Sequence, residues 1–147
     1  MVWGNVVVRE SYAGDLSVRE SWDLLARDKD AVLVDCRSEA EWSFVGTPDL
    51  SSLGGKPVFV PWQTYPGMRP NLKFADQLRQ AGVSAERTVL FLCRSGGRSK
   101  SAAIAMTAAG YSRCYNVAGG FEGGHDEVRH RGRREGWKAA GLPWIQE

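Results

Sequence analysis

Residues 88 to 110 constrain the fold more than any other stretch of this 147-residue chain. Thr88-Val-Leu-Phe-Leu92 is a short continuous apolar run, β-branched and aromatic, of the kind expected of a strand buried on both faces. Residues 99 to 109 are rich in strong helix formers, and Gly110 stands where a helix C-terminal glycine belongs. Between them runs a tight loop, Cys93-Arg-Ser-Gly-Gly-Arg98. This order puts Cys93 at the carboxyl end of a parallel strand and just before a helix N-terminus. Open α/β sheets carry their ligand sites at that position.

The loop has the composition of a reactive site. A thiol titrates near ~8.5 when unperturbed, and helix N-termini and neighbouring cations lower that value. Arg94 and Arg98 supply cations here, and Gly96 and Gly97 allow φ > 0, so that successive N–H groups can turn inward as an anion-binding nest. A thiolate in such a ring is a nucleophile whose adduct can carry negative charge and remain stabilised. A buried cysteine followed by a plain surface turn would not call for Cys, Gly-Gly and two Arg within six residues.

The rest of the chain alternates in the same way. Ser17-Val-Arg-Glu20 has capping-box spacing and predicts a helix over about 18 to 28 with Trp22, Leu24 and Leu25 inward, after a short strand around Asp15-Leu16. Ala31-Val-Leu-Val-Asp35 predicts a strand, after which Ser38 caps a short helix through Glu41 and Trp42. Residues 46 to 57 are dense in turn formers and read as loop, and Val58-Phe-Val60 follows as a strand. Gln63 to Pro70 is irregular and lies on the same rim as Cys93; Trp62, Tyr65 and Met68 serve there either as pocket wall or as loop anchors. Asn71 is placed to cap a helix over about 72 to 81 with Leu72, Ala75 and Leu78 inward, and Tyr111 to Val117 forms a fifth strand stopped by Gly119-Gly120. Strands alternating with helices imply βαβ units, a parallel sheet and helices on both faces, the α/β class. Asp35 would share the sheet edge with Cys93, with a structural role, holding Arg37 or loop amides, favoured over a catalytic one.

Composition narrows the class. Nineteen Lys and Arg against seventeen Asp and Glu leave a charge of +2, too little to argue for nucleic acid or a membrane surface. No stretch approaches the ~18 apolar residues of a spanning helix, and the start of the chain lacks the basic region of a signal peptide. The expectation is a cytoplasmic single domain over residues 1–147 with its core at about 14–145. Cys36, Cys93 and Cys114 are odd in number, widely spaced and without a Cys-x-x-Cys pair, which suits neither a disulfide framework nor zinc, and no metal or organic cofactor is expected. In the tail, five cations fall within 129 to 138, either a solvated cluster or an attractor for anionic substrates or an acidic partner, while Trp137 and Leu142 tuck onto the core. His125 and His130 read as surface residues.

Cys93-Arg94-Ser95-Gly96-Gly97-Arg98-Ser99 resembles the active-site loop of single-domain rhodaneses, the sulfurtransferases with a Cys-Arg-x-Gly-x-Arg pattern and a following Ser. Val34-Asp35-Cys36-Arg37-Ser38-Glu39 resembles the family's Asp-x-Arg strand end. Glu41-Trp42 with Gly46-Thr47-Pro48 resembles its acidic-aromatic and Gly-His-x-Pro segment, and Asn116-Val-Ala-Gly-Gly-Phe121 its closing strand and glycine turn. The resemblance implies a rhodanese-like three-layer α/β/α fold with a five-stranded parallel sheet. It also implies a Cys93 persulfide formed from thiosulfate or a persulfide donor and handed to cyanide or a thiol, with Arg94, Ser95, Gly96, Gly97, Arg98 and Ser99 binding substrate. The implied partners are a small anionic sulfur donor or protein persulfide and a thiol acceptor. Thr47 stands where a histidine is common, residues 49 to 57 look like added loop, and Cys36 occupies a position usually without a thiol.

Three other readings compete. Cysteine phosphatases and arsenate reductases use a Cys-x5-Arg loop, whereas four residues separate Cys93 from Arg98 here, a tighter ring better sized for sulfur than for a phosphoryl group. A non-catalytic binding or regulatory module is opposed by the intact Cys93 and both arginines. In the sheet order the resemblance implies, Cys36 lies near Cys93, where it is either a passive core thiol, the favoured reading, or a resolving thiol.

Overall fold

The structure, a computed structural model, describes residues 2–3, 6–7, 11–64 and 67–146. Five strands form one sheet: β1 (Gly14–Leu16), β2 (Val32–Asp35), β3 (Val58–Phe59), β4 (Thr88–Leu92) and β5 (Arg113–Val117). Their order is β1-β5-β4-β2-β3 and every neighbouring pair is parallel. β4 is central and buried at every position, which is why its sequence is a continuous apolar run rather than an alternating one.

Side-chain alternation sends Val89 and Phe91 to one face of the sheet and Leu90 and Leu92 to the other. The first face is covered by Phe74 and Leu78 of α3 (Phe74–Gln80) and by Ala102, Ala103 and Met106 of α4 (Gly97–Ala108). The second is covered by Val18 and Leu25 of α1 (Val18–Arg27) with Phe121, Trp137 and Leu142 from the tail. Helices therefore lie on both faces of the parallel sheet. Ser17 and Ser38 start α1 and α2 (Glu39–Val45) with reciprocal capping boxes through Glu20 and Glu41, each satisfying two otherwise unpaired backbone donors. Among the described residues no helix is long and apolar enough to cross a membrane.

Several segments differ from the sequence expectation: α4 begins at Gly97 and not at Ser99, so Gly97 and Arg98 lie in its first turn rather than in the loop. α3 begins at Phe74, not Leu72, which is 94% exposed. Asn71 does not cap it; its side chain accepts from the Lys73 amide and donates to the Pro61 carbonyl and to Gln77, so the chain turns before the helix starts. The inward face is then Phe74 and Leu78, four residues apart. The fifth strand starts at Arg113; Tyr111 precedes it, buried in the first core with its hydroxyl donating to the Val83 carbonyl. Within the 46–57 loop, Thr47–Pro48 pairs antiparallel with Trp144–Ile145, and Ser51–Leu53 forms a 3-10 turn. In the 63–70 segment Gln63–Thr64 pairs with Arg69–Pro70, and Tyr65 lies outside the described residues. Trp137 is fully buried, its indole N–H donating to the Pro143 carbonyl at 2.7 Å, and His125 and His130 are exposed.

Candidate active site

The end of β4 delivers Cys93 to a nearly closed position, 1% exposed, beneath the loop that leads into α4. Gly96 is the N-cap of α4 with φ +119°, a conformation that disfavours any side chain, and its N–H donates to Cys93 Sγ at 3.2 Å. One turn into the helix, Ser99 Oγ lies 3.1 Å from the same sulfur and donates to Asn116 Oδ1 at 2.6 Å. Asn116 in turn donates from Nδ2 to Asp15 Oδ1 at 3.0 Å, and the Tyr12 hydroxyl donates to that oxygen at 2.8 Å. The sulfur thus sits at one end of a polar chain that crosses β5 to β1.

The loop is braced from behind by the glycine turn after β5. Phe121 N–H donates to the Cys93 carbonyl at 2.8 Å, and the Glu122 and Gly123 amides both donate to the Arg94 carbonyl at 3.0 Å. Gly120 has φ +65°, and a Cβ there would lie 2.5 Å from the Arg94 carbonyl and 2.6 Å from that of Cys93. Only a glycine lets the two segments approach this closely.

The two loop arginines differ in their surroundings. Arg98 makes a bidentate pair with Glu41 of α2, at 2.6 and 2.9 Å, with both side chains largely buried. The Glu41 hydrogen bonds, aided by the Glu41 charge, raise the Arg98 titration against the opposing effect of burial. Burial pushes the Glu41 carboxyl up, but the Arg98 hydrogen bonds and charge, with the Ser38 amide and hydroxyl, outweigh it and hold the group below the usual range. Arg94 is exposed and faces a groove of about 500 Å³ shared with Arg98, Glu41, Phe44, Gln63 and Met68. Ser95 in the loop and Gly97 at the start of α4 are exposed. Trp62 is an anchor, edge-on to Phe74 at 5.0 Å, whereas Met68 walls the groove.

Asp35 has the structural setting favoured for it. It holds fully buried Arg37 through bonds of 2.9 and 2.7 Å, and Arg37 also donates to the Gly46 carbonyl and lies 4.3 Å from the centre of the Phe121 ring. Cys36 follows Asp35, one step beyond its register partner Leu92, on the same core face as Cys93. Both thiols are free; burial, then the neighbouring Cys93 and Asp35, push the Cys36 thiol well up against the opposing effect of Arg98. A larger, apolar cavity of about 780 Å³ lies between Trp42, Leu50, Phe59 and Ile145 and touches none of the loop. In the tail, Arg129, Arg133 and Arg134 are exposed, while Arg131 donates to the Gly123 carbonyl and Lys138 to that of Val45.

The structure adds Glu41, Asn116 and Asp15 to the site. Glu41 had a sequence signal, since Ser38-x-x-Glu41 is a capping box, but its pairing with a residue 57 positions away did not. Asn116 is the polar member of a strand end otherwise bound for the core and opens the segment that resembles the family's closing strand, but neither signal gave its bonds to Ser99 and Asp15.

The fold is that of rhodanese-like domains. The chain superposes on a rhodanese-like domain protein from Staphylococcus aureus with a TM-score of 0.56 at 20% identity, covering 80% of this chain and 96% of that one. The chain belongs to the family described as the STR4 middle domain, which matches residues 13–147. It is similar to Rv0390 of M. tuberculosis, with a TM-score of 0.85, 49% identity, and coverage of 93% of this chain and all of that one. An uncharacterized Rickettsia conorii protein is 37% identical over 126 residues, 85% of this chain and 91% of its own length. The chloroplastic rhodanese-like domain-containing protein 4 of Arabidopsis thaliana is 28% identical over 135 residues; that match covers 88% of this chain and 25% of the plant protein.

Proposed function

We propose that the chain is a sulfurtransferase that moves a sulfane sulfur through a Cys93 persulfide. The carrying observation is the placement of Cys93 Sγ at the mouth of α4, with the Gly96 N–H on the sulfur and Arg94 exposed on the adjoining groove. The Cys93 thiolate attacks the outer sulfur of thiosulfate. The S–S bond of the donor breaks, sulfite leaves with the electron pair, and Cys93 carries a persulfide whose charge the loop amides and helix N-terminus stabilise. Cyanide, or a thiolate, then attacks the outer sulfur, and Cys93 is regenerated. No metal or organic cofactor takes part in these steps. A polysulfide-sulfur transferase from Wolinella succinogenes shares the fold, with a TM-score of 0.60 at 20% identity, covering 90% of this chain and 78% of that one.

The remaining loop roles follow this reading. Arg94 meets the anionic donor, the Ser95, Gly96 and Gly97 backbone shapes the ring, Arg98 fixes the loop through Glu41, and Ser99 contacts the nucleophile. The physiological donor is a small anion or a protein persulfide and the acceptor a thiol, in the cytoplasm. The alternative is a binding or regulatory module of the same fold. Turnover of thiosulfate with cyanide to thiocyanate separates the two: activity that disappears in Cys93→Ser is expected. Absence of turnover with both thiosulfate and an organic persulfide would leave the binding module.

A further inference from the structure

The polar chain behind Cys93 has a fixed direction, because an ionised carboxylate only accepts hydrogen bonds. Asp15 is ionised at neutral pH; the Asn116 amide first, then the Tyr12 hydroxyl, hold its carboxyl below the usual range against the opposing effect of burial, and the Lys100 charge adds to them. Asn116 must therefore turn its NH2 toward Asp15 and its Oδ1 toward Ser99. That oxygen cannot donate, so the single Ser99 proton is committed to Asn116. Ser99 Oγ then presents a lone pair to Cys93 Sγ, 3.1 Å away.

We infer that Asn116, oriented by Asp15, is a positioning residue that holds the Ser99 hydroxyl proton away from Cys93, so that Ser99 presents a lone pair and not a donor to the sulfur. This rests on Cys93 being the nucleophile, as in the sulfurtransferase reading, and adds a restraint on its reactivity. When Cys93 ionises, Ser99 must rotate its proton from Asn116 to the sulfur, leaving Asn116 Oδ1 buried without a partner. Three other groups face the sulfur: the Gly96 N–H donates to it, Cys36 is a neutral buried thiol, and the Arg98 charge is shared with Glu41.

The test is the rate of iodoacetamide alkylation at the Cys93 peptide, read by mass at neutral pH. Asn116→Leu frees the Ser99 proton for the thiolate, and an increase of about tenfold is expected, the size of one hydrogen bond to a charged group. In a Ser99→Ala background the same change is expected to do nothing. Asp15→Asn, at an exposed strand position, lets the Asn116 amide turn and is expected to raise the rate in the same direction with Ser99 present only. Equal acceleration in both backgrounds would mean simple loosening of the core and would overturn the inference, as would an unchanged or lower rate in Asp15→Asn. The readout involves no sulfur transfer: if the wild type alkylates as expected yet makes no thiocyanate, the functional reading fails alone.

Discussion

Arg94 lies in the β4–α4 loop and Arg98 in the first turn of α4, and only Arg94 has an exposed charge. Arg98 is tied down twice by Glu41, which the Ser38 cap in turn holds in place. Glu41→Gln leaves a largely buried guanidinium without its counter-charge, and a loss of about 1–2 kcal/mol is expected at neutral pH. The Glu41 carboxyl is held below its ordinary range, so the pair's stabilisation is fully present above about pH 5 and is lost as pH falls through the folded-state value. Urea unfolding of wild type and variant at pH 7 and in acid reads the difference. The gap should close in acid; an equal gap at both pH values would show that the ion pair contributes nothing.

At the scale of elements, the site is a β4–α4 loop clamped by the turn that follows β5. Gly120 is the contact point, and Gly120→Ala drives a methyl into the Arg94 and Cys93 carbonyls while forcing alanine to φ +65°. The expected result is a loss of about 2–4 kcal/mol and a fall of more than about tenfold in Cys93 reactivity. Gly54→Ala is the control, since Gly54 has a similar φ of +77° with open space around it. It should lose about 1 kcal/mol and leave reactivity unchanged. Equal effects at the two glycines would remove the clamp from the explanation. Much of this scale was legible in sequence: the apolar run of β4, the glycines of the loop and both capping boxes are local signals. The start of α3 was not, because Leu72 fits the helical period as well as Phe74 does. Asn71 decides between them through hydrogen bonds to Pro61 and Gln77 that only the folded chain brings together. The same holds for the Glu41–Arg98 pair and the Asp15–Asn116 bond, which join residues 57 and 101 positions apart.

For the whole molecule, sheet order is what makes one edge chemical. With β4 between β5 and β2, the carboxyl end of the central strand meets Asn116 from one neighbour and the Asp35–Arg37 pair beside the other. The two cores on opposite faces hold that edge rigid, one through α3 and α4, the other through α1, Phe121 and Trp137. The proposed function places a covalent sulfur intermediate at Cys93 on that edge. The most direct measurement is the intact mass of the protein after exposure to thiosulfate, beside Cys93→Ser treated identically. A gain of one sulfur atom, removed by cyanide and absent from the variant, is expected. No gain with thiosulfate or with an organic persulfide, or an equal gain in the variant, would contradict a sulfur carried on Cys93.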